Sequence, residues 1–273
     1  MSNGVKWVSR LCSAAPRITG FLIPHFYPKL IINRLMSLLC LLLAVLLAWP
    51  ATAQKIIKRQ EKLGAGQRVF LNLKPGEHIR VRPGRIGEMS FKATVNINQN
   101  QLNEAFLLDI SRTADELTVK ADLDEEALRT APPGDCPDGQ GSYSGGGWRR
   151  VEGKYQLERG VCISVDYDVT VPAGTELRVS TWTGNINIVG LHGPIKAETF
   201  SGDVDLSWPR AQPAGLALKT VTGEVYADPG VTFANRRDNP VISYEMRGTW
   251  KASGGPAVKL ETISGNVFFR QAK

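Results

Sequence analysis

Four side chains in the middle of the chain have the chemistry of a recognition surface. Tyr143, Trp148, Arg149 and Arg150 lie in a Gly- and Pro-rich segment, residues 126–160, within the stretch bounded by Cys136 and Cys162. Aromatic faces stack on sugar rings, and guanidinium groups donate charge-assisted hydrogen bonds to anionic glycans. The same composition buries no core, so the segment reads as an exposed insertion, which equally describes a tethered loop without a ligand. Catalytic chemistry has less to work with. Beyond residue 53 there are two histidines, His78 and His192, and His192 lies between Leu191 and Gly193, where a turn is expected. No nucleophile elbow accompanies them. Gly145 to Gly147 runs into Trp-Arg-Arg without the strand and helix that a phosphate loop needs. No cofactor is implied.

A second set of polar residues recurs at fixed positions. Asn185, Asp203, Glu224 and Asn266 each follow a glycine, and Asn187 and Asp205 lie two residues further on. Oxygen ligands at that spacing could hold calcium. Polar residues beside a turn need no ion, however, and Gly-Gly-x-Gly-x-Asp repeats are missing, so no metal site is assigned. Cys136 and Cys162 show neither CxxC nor metal-ligand spacing. An even count in an exported chain points to a disulfide, which contributes about 3–4 kcal/mol on the chain-entropy account.

The elements that would position these residues are announced by a repeat. The phrase Thr-x-Ser/Thr-Gly-polar-Val/Ile occurs at Thr181–Ile186, Thr199–Val204, Thr220–Val225 and Thr262–Val267. Its glycines, Gly184, Gly202, Gly223 and Gly265, are spaced by 18, 21 and 42 residues. Since 42 is twice 21, a degenerate copy is expected between the last two, near Gly248. Self-similarity at this period marks stacked supersecondary units. Before each glycine every second residue is apolar or Thr, as in Leu177, Val179, Thr181. After it the alternation resumes with shifted parity, as in Ile186, Ile188. A period of two is a strand with one buried face, and a parity shift at Gly is a corner. Each unit therefore reads as two strands joined at a corner, with Thr181, Thr199, Thr220 and Thr262 beside it. Trp182, Phe200, Val221 and Ile263 would form an apolar ladder along that corner. Because the last copy ends at the chain terminus, an uncapped final coil is expected, open to self-association or to a partner strand.

Upstream, short alternating runs at 69–73, 79–81, 91–97, 105–110 and 117–121 read as strands, with Pro75-Gly76 and Pro83-Gly84 as turns. The clearest strand spans Val161 to Val171. The expected organisation is thus a leader over 1–53, an N-terminal β sheet or sandwich over 54–172 carrying the insertion, and a repeat stack over 173–273. The fold class is all-β, a β-solenoid or β-roll from about 165 to 273 continuous with the N-terminal sheet.

The leader holds five basic and no acidic residues, an apolar run of 12 from Leu38 to Trp49, and Ala51-Thr-Ala53. That is a secretory signal cut before Gln54, and the run is too short to span a bilayer. An uncleaved anchor is the alternative, and translation starting at Met36 would give a leader of ordinary length. The formal charge of +7 arises from 33 basic and 26 acidic residues. Without the leader 28 face 26, leaving +2, so no basic field argues for nucleic acid.

The run from Val165 to Phe269, with Val171-Pro-Ala-Gly174, Leu177-Arg-Val179 and the four glycine phrases, resembles the bacterial putative-adhesin domain family. That resemblance implies a right-angled β-solenoid or β-roll on an exported or surface-located protein, without an assigned active site. The expectation is a non-enzymatic envelope protein, periplasmic or on the cell surface, whose repeat surface serves adhesion, scaffolding or binding of a protein or glycan partner. The alternatives are a glycan-binding module using the 136–162 insertion and, third, a hydrolase.

Overall fold

In a computed structural model the described residues are 54–131, 142–143, 148–151, 154–157, 160–234, 244–251 and 254–272. They are almost entirely strand: β1 (Lys55–Lys62), β2 (Arg68–Leu73), β3 (His78–Pro83), β4 (Glu88–Ile97), β5 (Phe106–Arg112), β6 (Glu116–Leu123), β7 (Ser142–Tyr143), β8 (Trp148–Val151), β9 (Lys154–Leu157), β10 (Val161–Val171), β11 (Leu177–Thr183), β12 (Asn185–Val189), β13 (Ile195–Ser201), β14 (Val204–Trp208), β15 (Ala214–Thr220), β16 (Val225–Ala227), β17 (Val231–Phe233), β18 (Met246–Trp250), β19 (Ala257–Ser264) and β20 (Val267–Gln271). One short helix, α1 (Glu125–Thr130), starts at Asp124, whose carboxylate accepts from the amides of Glu126 and Ala127.

Two mixed sheets contain nearly all of it. The first runs β1-β4-β10-β3-β12-β14-β20-β16, with β7 on β10, and the second runs β17-β18-β15-β19-β13-β11-β2-β6-β5. Five two-strand units, β2–β3, β11–β12, β13–β14, β15–β16 and β19–β20, each carry the chain from the second sheet directly to the first. The strands of these five units pair in parallel, while antiparallel pairs (β1/β4, β4/β10, β5/β6, β15/β18, β17/β18) flank them. The architecture is all-β in two mixed sheets, neither closed nor curled on itself.

Period-two alternation explains the packing. In β4 every second residue is buried, from Met89 through Phe91, Ala93 and Val95 to Ile97. The same holds in β10 from Val165 on and in the repeat strands other than the short β16, and both sheets feed one apolar cluster. Tyr167 sits inside it against Phe91 and Phe106, and its hydroxyl donates to the Pro75 carbonyl at 2.6 Å.

Three expectations change. A coil stack wound in chain order is not what forms. The C-terminal unit β19–β20 lies between β13–β14 and β15–β16, so β19 pairs on both sides, as does β20. The premise of an uncapped final coil therefore fails, because the last strand is interior. Nor is the 42-residue gap a degenerate copy: β18, which carries Gly248, runs antiparallel to β15 and β17 at the margin of the second sheet. A fifth unit lies instead upstream at β2–β3, which pairs directly with β11–β12, so both sheets run across residue 172.

Deleting residues 256–273 would remove an interior strand from each sheet. The expected outcome is loss of the cooperative thermal transition followed by circular dichroism. A truncated chain that melted like the full one would show that β19 and β20 do not occupy that position.

Candidate functional site

The recurring phrase is accounted for residue by residue at the corner between the sheets. The glycines form one ridge in the order Gly76, Gly184, Gly202, Gly265, Gly223, because a Cβ on each of the last four would collide with the carbonyl of the one before it. Gly184, Gly202 and Gly265 also take φ values of 116°, 131° and 145°. The threonines close the contact. Thr199 donates to the Gly184 carbonyl at 3.3 Å, Thr262 to Gly202 at 2.9 Å and Thr220 to Gly265 at 2.7 Å. Thr181, at the margin of this set, donates to the Thr183 carbonyl at 2.9 Å.

The polar residue after each glycine links units in the same way. Asn185 Oδ1 accepts from the Asp203 amide at 2.9 Å, Asp203 Oδ1 from Asn266 at 2.7 Å and Asn266 Oδ1 from Glu224 at 3.0 Å. These oxygens satisfy backbone donors of the next unit, which gives the column a purpose that needs no calcium. Among the described residues no group of three His, Cys, Asp or Glu is placed to hold a metal ion.

Between Thr and Ser or Thr, the residue is exposed in three of the four phrases, while Val221 in the fourth is half-buried. Trp182 and Phe200 are each 59% exposed and Ile263 is 41% exposed. They stand on adjacent parallel strands, about 4.8 Å apart per step. Lys74 continues the row from β2's end, with Nζ 5.0 Å from the centre of the Trp182 ring and 2.8 Å from Asp122 Oδ2.

Beside this row lies a groove of about 600 Å³. Its floor and walls come from the 74–78 turn, the β6–α1 junction at Asp122 to Glu125, Ile163, and the Trp182–Asn185 corner. The Tyr167 bond to Pro75 anchors the turn from beneath, and burial pushes that phenol well above its ordinary range. At Asp122 burial pushes the carboxyl up, but hydrogen bonds from Lys74, the Leu123 amide and Lys120 outweigh it and leave the group below its ordinary value. Glu77 accepts from Ser164 at 2.6 Å.

The remaining candidates fall apart from one another. His78 lines the groove together with Ser201 and Asp122. No hydrogen bond joins His78 to either, and Asp122 is held by Lys74 and Lys120. His192 is exposed in the β12–β13 turn, its amide bonded to the Ala173 carbonyl. Tyr143 falls in β7 and Trp148, Arg149 and Arg150 in β8, which pairs with β9, so the insertion contains strand where only loop was expected. Their side chains lie outside the described residues, as does Cys136; Cys162 is buried near the start of β10. The sequence missed Lys74 and Asp122, and it marked Pro75–Gly76 as a turn without placing Gly76 on the glycine ridge.

No protein-family model matches the chain, and no curated protein matches it in sequence. Solved structures give weak likeness. A putative cell adhesion protein from Clostridium sporogenes is 11% identical with a TM-score of 0.46, covering 81% of this chain and all of that one. A putative adhesin from Bacteroides fragilis is 8% identical with a TM-score of 0.22 over 81% of this chain and 99% of its own. A putative adhesin from Parabacteroides distasonis is 8% identical with a TM-score of 0.19 over 80% and 98%. At such scores the likeness carries no function to this chain.

Two measurements check the corner and the groove. Thr262→Val keeps the buried shape (0% exposed) but strands the Gly202 carbonyl, and should cost about 1–3 kcal/mol in urea unfolding. Thr222→Val, at an exposed bond to Ile263, should cost less than about 0.5 kcal/mol. Equal costs would deny the corner its role. Asp122, with its pKa depressed by folding, stabilises above the ordinary value of 3.8, and that contribution is lost as pH falls through the lower folded value. Asp122→Asn should therefore flatten the acid limb of the stability profile, and an unchanged limb would count against the pairing.

Proposed function

We propose that this is a non-enzymatic exported protein of the bacterial envelope whose repeat surface serves adhesion or partner binding through the corner row. The observation that supports this reading is the exposure of Trp182, Phe200 and Ile263 in register on a fixed ridge. Large exposed apolar side chains in a contiguous row mark contact surfaces, and aromatic anchors held in one geometry lose little entropy on binding. In this reading the five two-strand units act as the rungs of a short solenoid, with the fourth and fifth rungs exchanged relative to chain order. The resemblance of residues 165–269 to the bacterial putative-adhesin domain family points the same way.

Export rests on the 1–53 leader, which lies outside the described residues, and on pairing of Cys136 with Cys162. Peptide mapping without reductant should recover those two cysteines in one linked peptide. Separate thiols would remove that support. A hydrolase draws nothing from the groove, since no Ser–His–Asp hydrogen-bonded arrangement occurs among the described residues.

Binding of the labelled protein to envelopes of the producing bacterium tests the contact surface. Trp182→Ala with Phe200→Ala should lower it by about tenfold or more while leaving the melting temperature unchanged. Undiminished binding by the folded double variant would sink the reading.

A further inference from the structure

We infer that the groove beside Trp182 is a carbohydrate site, taking a neutral pyranose ring of an oligosaccharide on the indole face. This deepens the contact-surface reading and rests on it. Its volume of about 600 Å³ suits a ligand of a few rings rather than the flat face of a folded partner. Trp182 supplies a flat apolar wall at the mouth, more than half exposed, on which the C–H face of a sugar ring can lie.

The polar lining offers both kinds of hydrogen-bonding group, as ring hydroxyls require, since each hydroxyl donates and accepts. Glu77 and Glu125 present carboxylate oxygens, Ser201 a hydroxyl and Asn185 an amide NH2 whose companion oxygen is already engaged by Asp203. Charge narrows the class further. Among the described residues Lys74 is the one ammonium or guanidinium group lining the groove, and Asp122 matches it at 2.8 Å. Among the described residues no unmatched ammonium or guanidinium group is left to hold a sulfate, phosphate or uronate, which favours a neutral sugar. The groove is fixed before any ligand arrives, because Tyr167 anchors the Pro75 turn and the glycine ridge fixes the opposite wall.

The test is calorimetric titration of the full chain with cellotriose, chitotriose and maltotriose, with a lysine hexapeptide as the cationic probe. Concentrations on the order of 10 mM reach millimolar affinities. At least one trisaccharide should bind more tightly than the peptide, and Trp182→Ala and Glu125→Gln should each weaken it by about tenfold or more. Where Trp182→Ala lowers the melting temperature, Trp182→Leu decides, since it keeps apolar bulk and removes the flat ring. The inference is overturned if no trisaccharide binds, if binding survives loss of the indole, or if the peptide binds in place of the sugars. Sugar binding without any effect of the groove variants on envelope attachment would leave this site standing and sink the adhesion reading. Attachment that needs Trp182 in a protein that binds no sugar would do the reverse.

Discussion

Backbone against backbone at the corner is the contact on which both sheets depend. Each glycine of the ridge after Gly76 meets the carbonyl of its neighbour closely enough to exclude a Cβ, and in three of the units a threonine hydroxyl caps that same carbonyl. The asparagine or aspartate that follows accepts the next unit's amide. With those groups satisfied within the protein, the corner can be buried tightly without orphaned donors or acceptors. Because the strands on either side leave this corner in fixed phase, its spacing also sets which alternate residues of both sheets reach the core.

The same chemistry explains why unit order departs from chain order. Every copy carries the same donors and acceptors, so the motif specifies a neighbour but not which neighbour. What distinguishes β15 is its far side, where β18 and β17 run antiparallel and close the second sheet. With that side occupied, the last unit enters between β13 and β15. Its outer face suits the place, since Glu261 meets Lys219 at 2.7 Å across one boundary. The hydrogen bond from Lys219 is the largest influence holding the Glu261 carboxyl below its ordinary value.

That history divides what could be read from residues and what could not. Alternation, corner glycines and the neighbouring threonines were legible because each follows from a local rule: period two, a positive φ, a hydroxyl near a turn. The β2–β3 unit was hidden because Lys74 and Pro75 stand where the phrase has an apolar residue and a hydroxyl. Unit order was hidden because self-similar copies are interchangeable in sequence. The groove was hidden for a third reason. Its parts come from the 74–78 turn, the β6–α1 junction, β10 and the β11–β12 corner, separated by up to about a hundred positions and brought together only by parallel pairing.

Whether the outward row exists for the fold or for a ligand can be argued from position alone. The row lies outside the ridge, where side chains add nothing to the core. Lys74 occupies the same row in the first unit and is accommodated there as a charged residue. A polar side chain is therefore sterically and energetically acceptable at every step, and hydration would favour it. Three adjacent units nevertheless carry Trp182, Phe200 and Ile263, each at least two-fifths exposed. Burial does not call for them and the corner bonds do not involve their side chains. In the proposed reading an indole, a phenyl ring and a branched alkyl group in line serve a surface that covers them, and Trp182 is the one that also overlooks a groove.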